Sequence, residues 1–75
     1  MREKTIRLIS IHEILIFQEC AEAVQGEVTI KKGRFEVSGK SLLGIMSLDV
    51  ADGITVRYPE KAKEFDEYLS CLEIK

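Results

Sequence analysis

The stretch from Glu27 to Ser38 constrains the fold most. Val28 and Ile30 alternate with Glu27, Thr29 and Lys31. After Lys32-Gly33, Phe35 and Val37 alternate with Arg34, Glu36 and Ser38. Period-two alternation marks a strand with one buried face, and glycine takes the positive φ of a tight turn at little steric cost. The segment predicts a β-hairpin. An isolated hairpin is marginal in water, so the remaining residues must supply strands to extend it and helices to cover it.

Two further alternating runs are available. Ile6 and Leu8 oppose Thr5, Arg7 and Ile9, and Ile54, Val56 and Tyr58 oppose Thr55 and Arg57. Three helices fill the gaps. Ser10-Ile11-His12-Glu13 reads as a capping box, with Ser10 accepting from an early N–H and Glu13 reaching back to the Ser10 N–H. Ile11, Ile14, Leu15, Phe17, Cys20, Ala21 and Val24 then share one broad apolar face, and Gly26 supplies a left-handed cap. Ser41 caps a short helix to about Leu48, followed by a loop from Asp49 to Gly53. Pro59 starts the last helix, where its missing N–H is harmless, and Ala62, Phe65, Leu69 and Leu72 give it an amphipathic stripe. The predicted order is β-α-β-β-α-β-α. This is an α+β fold with a four-stranded antiparallel sheet and helices on one face.

Seventy-five residues are enough for a single domain, 1–75, with one modest core. Thirteen acidic against eleven basic residues leave a net charge of −2, which argues against nucleic-acid binding. Cys20 and Cys71 match no zinc or redox spacing and read as buried thiols. With one histidine, no metal site is expected, and no cofactor either. No apolar run is long enough to span a membrane and no signal peptide is visible, so the expectation is a cytoplasmic protein. A nucleophile–base pair and a glycine-rich phosphate loop are both missing, so an independent enzyme is not expected.

The segment Lys40-Ser41-Leu42-Leu43-Gly44-Ile45-Met46-Ser47-Leu48 carries the functional signal. It closely resembles the regulatory-serine region of HPr, the histidine-phosphocarrier of the bacterial sugar phosphotransferase system. The element order is similar to that of HPr over nearly the whole chain, and implies the HPr-like open-faced β-sandwich. The resemblance implies that Ser41 is a target for an HPr serine kinase. It also implies that Ile14, Lys40, Leu42, Leu43, Ile45 and Met46 dock partners, namely phosphotransferase-system proteins or a transcriptional regulator. A monomer is expected. Gly44 permits close approach on the short helix, and His12 and Glu13 join Lys40 around the docking patch.

The family's histidine row fits less closely. Glycine, isoleucine or leucine, histidine, alanine, arginine, proline and alanine stand there in the family, against Ser10-Ile11-His12-Glu13-Ile14-Leu15-Ile16 here. Ile11-His12 match, which implies His12 as phosphoryl acceptor. A phosphohistidine at a helix start gains from free N–H groups and the positive end of the helix dipole. Ile14 replaces the family's arginine, a forked donor to phosphate, and Glu13 adds a repelling charge. Arg7, Arg34 and Arg57 are the guanidinium groups that could substitute. Two functions follow from the resemblance. One is an HPr-like phosphocarrier or regulatory protein. The alternative is a protein-binding module similar to the Crh branch, which lacks the histidine.

Overall fold

The computed structural model describes residues 1–74. Strand β1 spans Arg2–Ile6, helix α1 Ile11–Glu22, β2 Thr29–Lys32, β3 Phe35–Ser38, α2 Leu42–Met46, β4 Ile54–Tyr58 and α3 Lys63–Leu72. The four strands form one sheet in the order β1-β4-β2-β3, with every neighbouring pair antiparallel. The predicted order, sheet and layering are therefore observed.

The hairpin forms as its sequence dictates. Lys32 pairs with Phe35, so Gly33-Arg34 is a two-residue loop, and Gly33 has φ +59°. The strand rows explain the alternation. Val56, Ile30 and Val37 lie in one row with Lys4 and face the helices, while Thr55, Lys31, Glu36 and Thr5 form a row on the open face. Phe35 has the inward parity but is 68% exposed, because it sits at the hairpin end of the sheet beyond the helical cover.

The core joins Ile6, Leu8, Ile30, Ile54, Val56 and Tyr58 to Phe17 and Ala21 of α1, Ile45 of α2, and Phe65 and Leu69 of α3. The Phe65 ring stands 5.7 Å from Phe17 and 5.6 Å from Tyr58, the latter edge-on, a geometry that aromatic quadrupoles favour. Burial and the hydroxyl's bond to the Asp66 carboxylate push the Tyr58 phenol up to about 12. The same bond, with Arg2 and Lys4 alongside, holds the Asp66 carboxyl below its ordinary value.

Several expected boundaries shift. α1 ends at Glu22 with Ala23 as its cap. Gly26 has φ +116° but lies in the following loop, so it redirects the chain without capping the helix. α3 begins at Lys63, since Pro59 to Lys61 fold into turns that donate from Ala62 to Pro59 and from Lys63 to Lys61. The loop after α2 contains a 3₁₀ turn, Val50–Asp52. The cysteines are not both buried: Cys20 is half-buried and Cys71 exposed, because α3 turns Phe65 and Leu69 inward and leaves Cys71 outside that stripe.

Candidate functional site

The start of α1 carries the only histidine. Ser10 is extended at the N-cap, and its Oγ accepts from the Glu13 N–H at 3.2 Å. Glu13 reciprocates one residue further back than expected, accepting at Oε1 from the Ile9 N–H at 2.9 Å. The bond fixes the direction of the Glu13 carboxylate. It lies toward α3, lining a hollow with Arg7 and Cys71, and Glu13 and Cys20 help hold the neighbouring Tyr68 phenol at about 12, after burial. His12 is the second residue of the helix, exposed in the first turn. Helix geometry gives the Ile11 and His12 N–H groups no intrahelical acceptor, and neither donates to another group among the described residues. Of the candidate arginines, Arg57 pairs with Glu3 at 3.1 Å on the open sheet face and Arg34 sits in the hairpin loop. Arg7 alone lines the hollow beside the first turn.

The start of α2 repeats the device without a carboxylate. Ser41 is the exposed N-cap, and its Oγ accepts from the Gly44 N–H at 3.1 Å. A Cβ on Gly44 would lie 3.2 Å from the Val37 Cβ, so glycine is what lets α2 lie close on β3. α2 is also tied to α1. The Gln18 Nε2 donates to the Lys40 carbonyl at 2.9 Å, and the Lys40 Nζ donates to the Val24 carbonyl at 2.7 Å.

These placements sort the expected docking residues. Leu43 and Met46 are exposed, at 84% and 50%. Ile45 is fully buried and is a core residue, because a five-residue helix lying on a sheet must turn one side chain inward. Ile14 is half-buried and packs against the core, and Leu42 is half-buried. Lys40 is half-buried and directs its ammonium to the Val24 backbone carbonyl, keeping its positive charge. Glu13 is drawn off by its capping bond and does not border the patch.

The outer face contains residues that sequence reasoning assigned to the interior. Ile11 and Leu15 were expected on the buried arc of α1, yet both are exposed, as is Ile16. Phe17, Ala21, Val24 and Ile14 take the inward arc instead. Ile11, Leu15 and Gln18 recur at the i, i+4, i+7 spacing of one helix stripe, and Gln18 touches Lys40, so this stripe runs beside α2. The readable signal was an apolar arc wider than a helix on a single sheet can bury.

A family model described as the PTS HPr component phosphorylation site matches residues 14–68. The chain belongs to the HPr family. It is accordingly an HPr-like phosphocarrier or regulatory protein of the phosphotransferase system, working with other proteins of that system. The match includes Ser41 and α2 and begins two residues after His12. The crystal structure of HPr-C-His from Thermoanaerobacter tengcongensis is 23% identical and has a TM-score of 0.79, with 95% of this chain and 89% of that one covered. The phosphocarrier protein HPr from Bacillus anthracis str. Ames is also 23% identical, with a TM-score of 0.71 and coverage of 97% and 96%. Both share the HPr fold seen here. No curated protein matches the chain. Among the described residues, no helix is long and apolar enough to cross a membrane.

Proposed function

We propose that this HPr-family chain works as a cytoplasmic, single-domain phosphocarrier that takes its phosphoryl group on His12. The observation that carries the reading is the first turn of α1. There the only histidine is exposed beside two N–H groups without an acceptor, while the one nearby carboxylate is committed to the Ile9 N–H. An imidazole nitrogen would attack phosphorus as the bond to the donor protein breaks. The positive end of the helix favours the added charge. The chain is then a substrate of other enzymes. Ser41, exposed at a helix start, is proposed as the regulatory target of a serine kinase, since phosphate at a helix N-terminus is electrostatically favourable. Leu43 and Met46 are proposed as the partner contacts.

The test is phosphotransfer from phosphoenolpyruvate through the general phosphotransferase enzyme, on wild type and His12→Ala. A conventional HPr is labelled in parallel. Acid-labile label on the wild type alone is the expected result. No label on either protein would retire the carrier reading in favour of a regulatory binding module.

A further inference from the structure

The two edges of the sheet are finished differently. At β1 the chain's own end lies over the edge: the Ile74 N–H donates to the Thr5 carbonyl, and Glu73 bridges to Ile6. β3 forms the opposite edge. There the Gly39 N–H donates to the Val28 carbonyl at 2.7 Å, and bonded pairs recur at every second residue of an antiparallel ladder. Val37 and Phe35 therefore spend their backbone groups on Ile30 and Lys32, and Glu36 turns its N–H and carbonyl outward. Neither group has a backbone partner among the described residues. An uncovered edge of this kind is a template for another strand. Its side chains are equally unoccupied. Phe35 is largely exposed on the helix side of the sheet, beside a hollow that Leu48 helps to line. Arg34 and Glu36 are exposed, and neither belongs to an ion pair among the described residues.

We propose that β3 pairs antiparallel with β3 of a second copy of this chain, in the register that sets Phe35 opposite Phe35. The occupant follows from the order of the side chains. In this register each Glu36 faces Arg34 of the second copy, so both charges gain a partner and the outward Glu36 backbone groups gain a strand. Opposite charges across a strand pair stabilise it, and like charges oppose it. The register one step on sets Glu36 against Glu36 and is disfavoured for that reason. The two Phe35 rings meet as a non-hydrogen-bonded pair, the kind that brings side chains closest, and both lie on the helix side. The two sheets become continuous, and the helices of both copies cover one face. Arg34 to Glu36 on each side make a small contact, in the weak class below about 1,200 Å², so the copies associate only at high concentration.

The test is sedimentation equilibrium of the full chain from about 20 μM to about 2 mM, a range suited to weak contacts. Reductant keeps the exposed Cys71 a thiol. The mean mass should climb from that of one chain toward that of two. In a mixture of labelled and unlabelled protein, magnetisation should pass between the Phe35 Hα atoms of different copies. Glu36→Pro removes only an outward N–H, at a position where an edge strand tolerates proline, and should abolish association while the amide spectrum stays folded. Arg34→Glu should weaken association roughly tenfold, and Arg34→Glu with Glu36→Arg should restore it. The charge variants keep the test decisive if the proline variant does not fold. A mass that stays at one chain throughout would overturn the proposal. So would association that survives Glu36→Pro, contacts between copies centred away from Phe35, or a charge swap no better than Arg34→Glu alone.

Discussion

Helix α3 and the α1–α2 face are built from similar apolar residues and put them to opposite uses. On α3, Phe65 and Leu69 are almost entirely removed from water, and the charged residues Lys63, Glu64 and Glu67 stay outside. On the α1–α2 face, Ile11, Leu15, Leu43 and Met46 stay in water. The difference lies in register against the sheet. The α3 stripe is narrow enough for one sheet to cover, whereas α1 has more apolar surface than the sheet can take. The surplus apolar residues lie on the side of α1 that adjoins α2, where a partner can reach them.

The comparison breaks most visibly if α3 is truncated. Phe65→Ala should cost about 3–5 kcal/mol and Leu69→Ala about 2–5 kcal/mol in denaturant unfolding, through lost burial and residual cavity. A near-neutral result for either would mean that α3 is not the folding face. The link from α3 to the sheet can be sharpened by pH. The Asp66 carboxyl is lowered in the fold, so its contribution is present above the ordinary carboxylate value and fades as pH falls through the lowered one. The Tyr58 phenol is raised to about 12, so its contribution is present below 10 and is lost as pH rises through about 12. Asp66→Asn should flatten the acid side of a plot of unfolding midpoint against pH, and an unchanged acid limb would contradict that link.

On the other face the expected effects are smaller. Ser41→Ala removes the acceptor of the Gly44 N–H and should cost about 0.5–2 kcal/mol, read as a lowered denaturation midpoint. Leu43→Ser should stay within about 0.5 kcal/mol of wild type, as surface substitutions do, while weakening partner docking. A large loss of stability there would mean that Leu43 packs inward.

The sheet and its helical cover were readable because alternation and turn glycines are local signals. Val28 to Val37 and Ile54 to Tyr58 announce their strands without reference to anything distant. The Ser41 cap and the Phe65–Leu69 stripe were legible for the same reason. The candidate site was legible only in part, because it depends on which way a side chain turns. The sequence could not show that Glu13 would reach Ile9, that the Lys40 ammonium would donate to the Val24 carbonyl, or that Ile45 would be the one member of its helix to enter the core. Nor could spacing choose among Ile11, Ile14 and Leu15, since all three fit a helical arc and only the tilt of α1 on the sheet separates them.

The strand order also governs how the chain can reach this structure. β1 finds its partner in β4, so residues 2–6 wait for residues 54–58, and Glu73 then bridges to Ile6 while the Ile74 N–H donates to the Thr5 carbonyl. The hairpin can close early, but the two central strands meet only after most of the chain has been gathered in. Such long-range pairing slows folding, and a domain of this size should unfold in one cooperative step. A cut between Gly39 and Ser41 should therefore leave neither fragment folded alone, even though the hairpin lies wholly within the first.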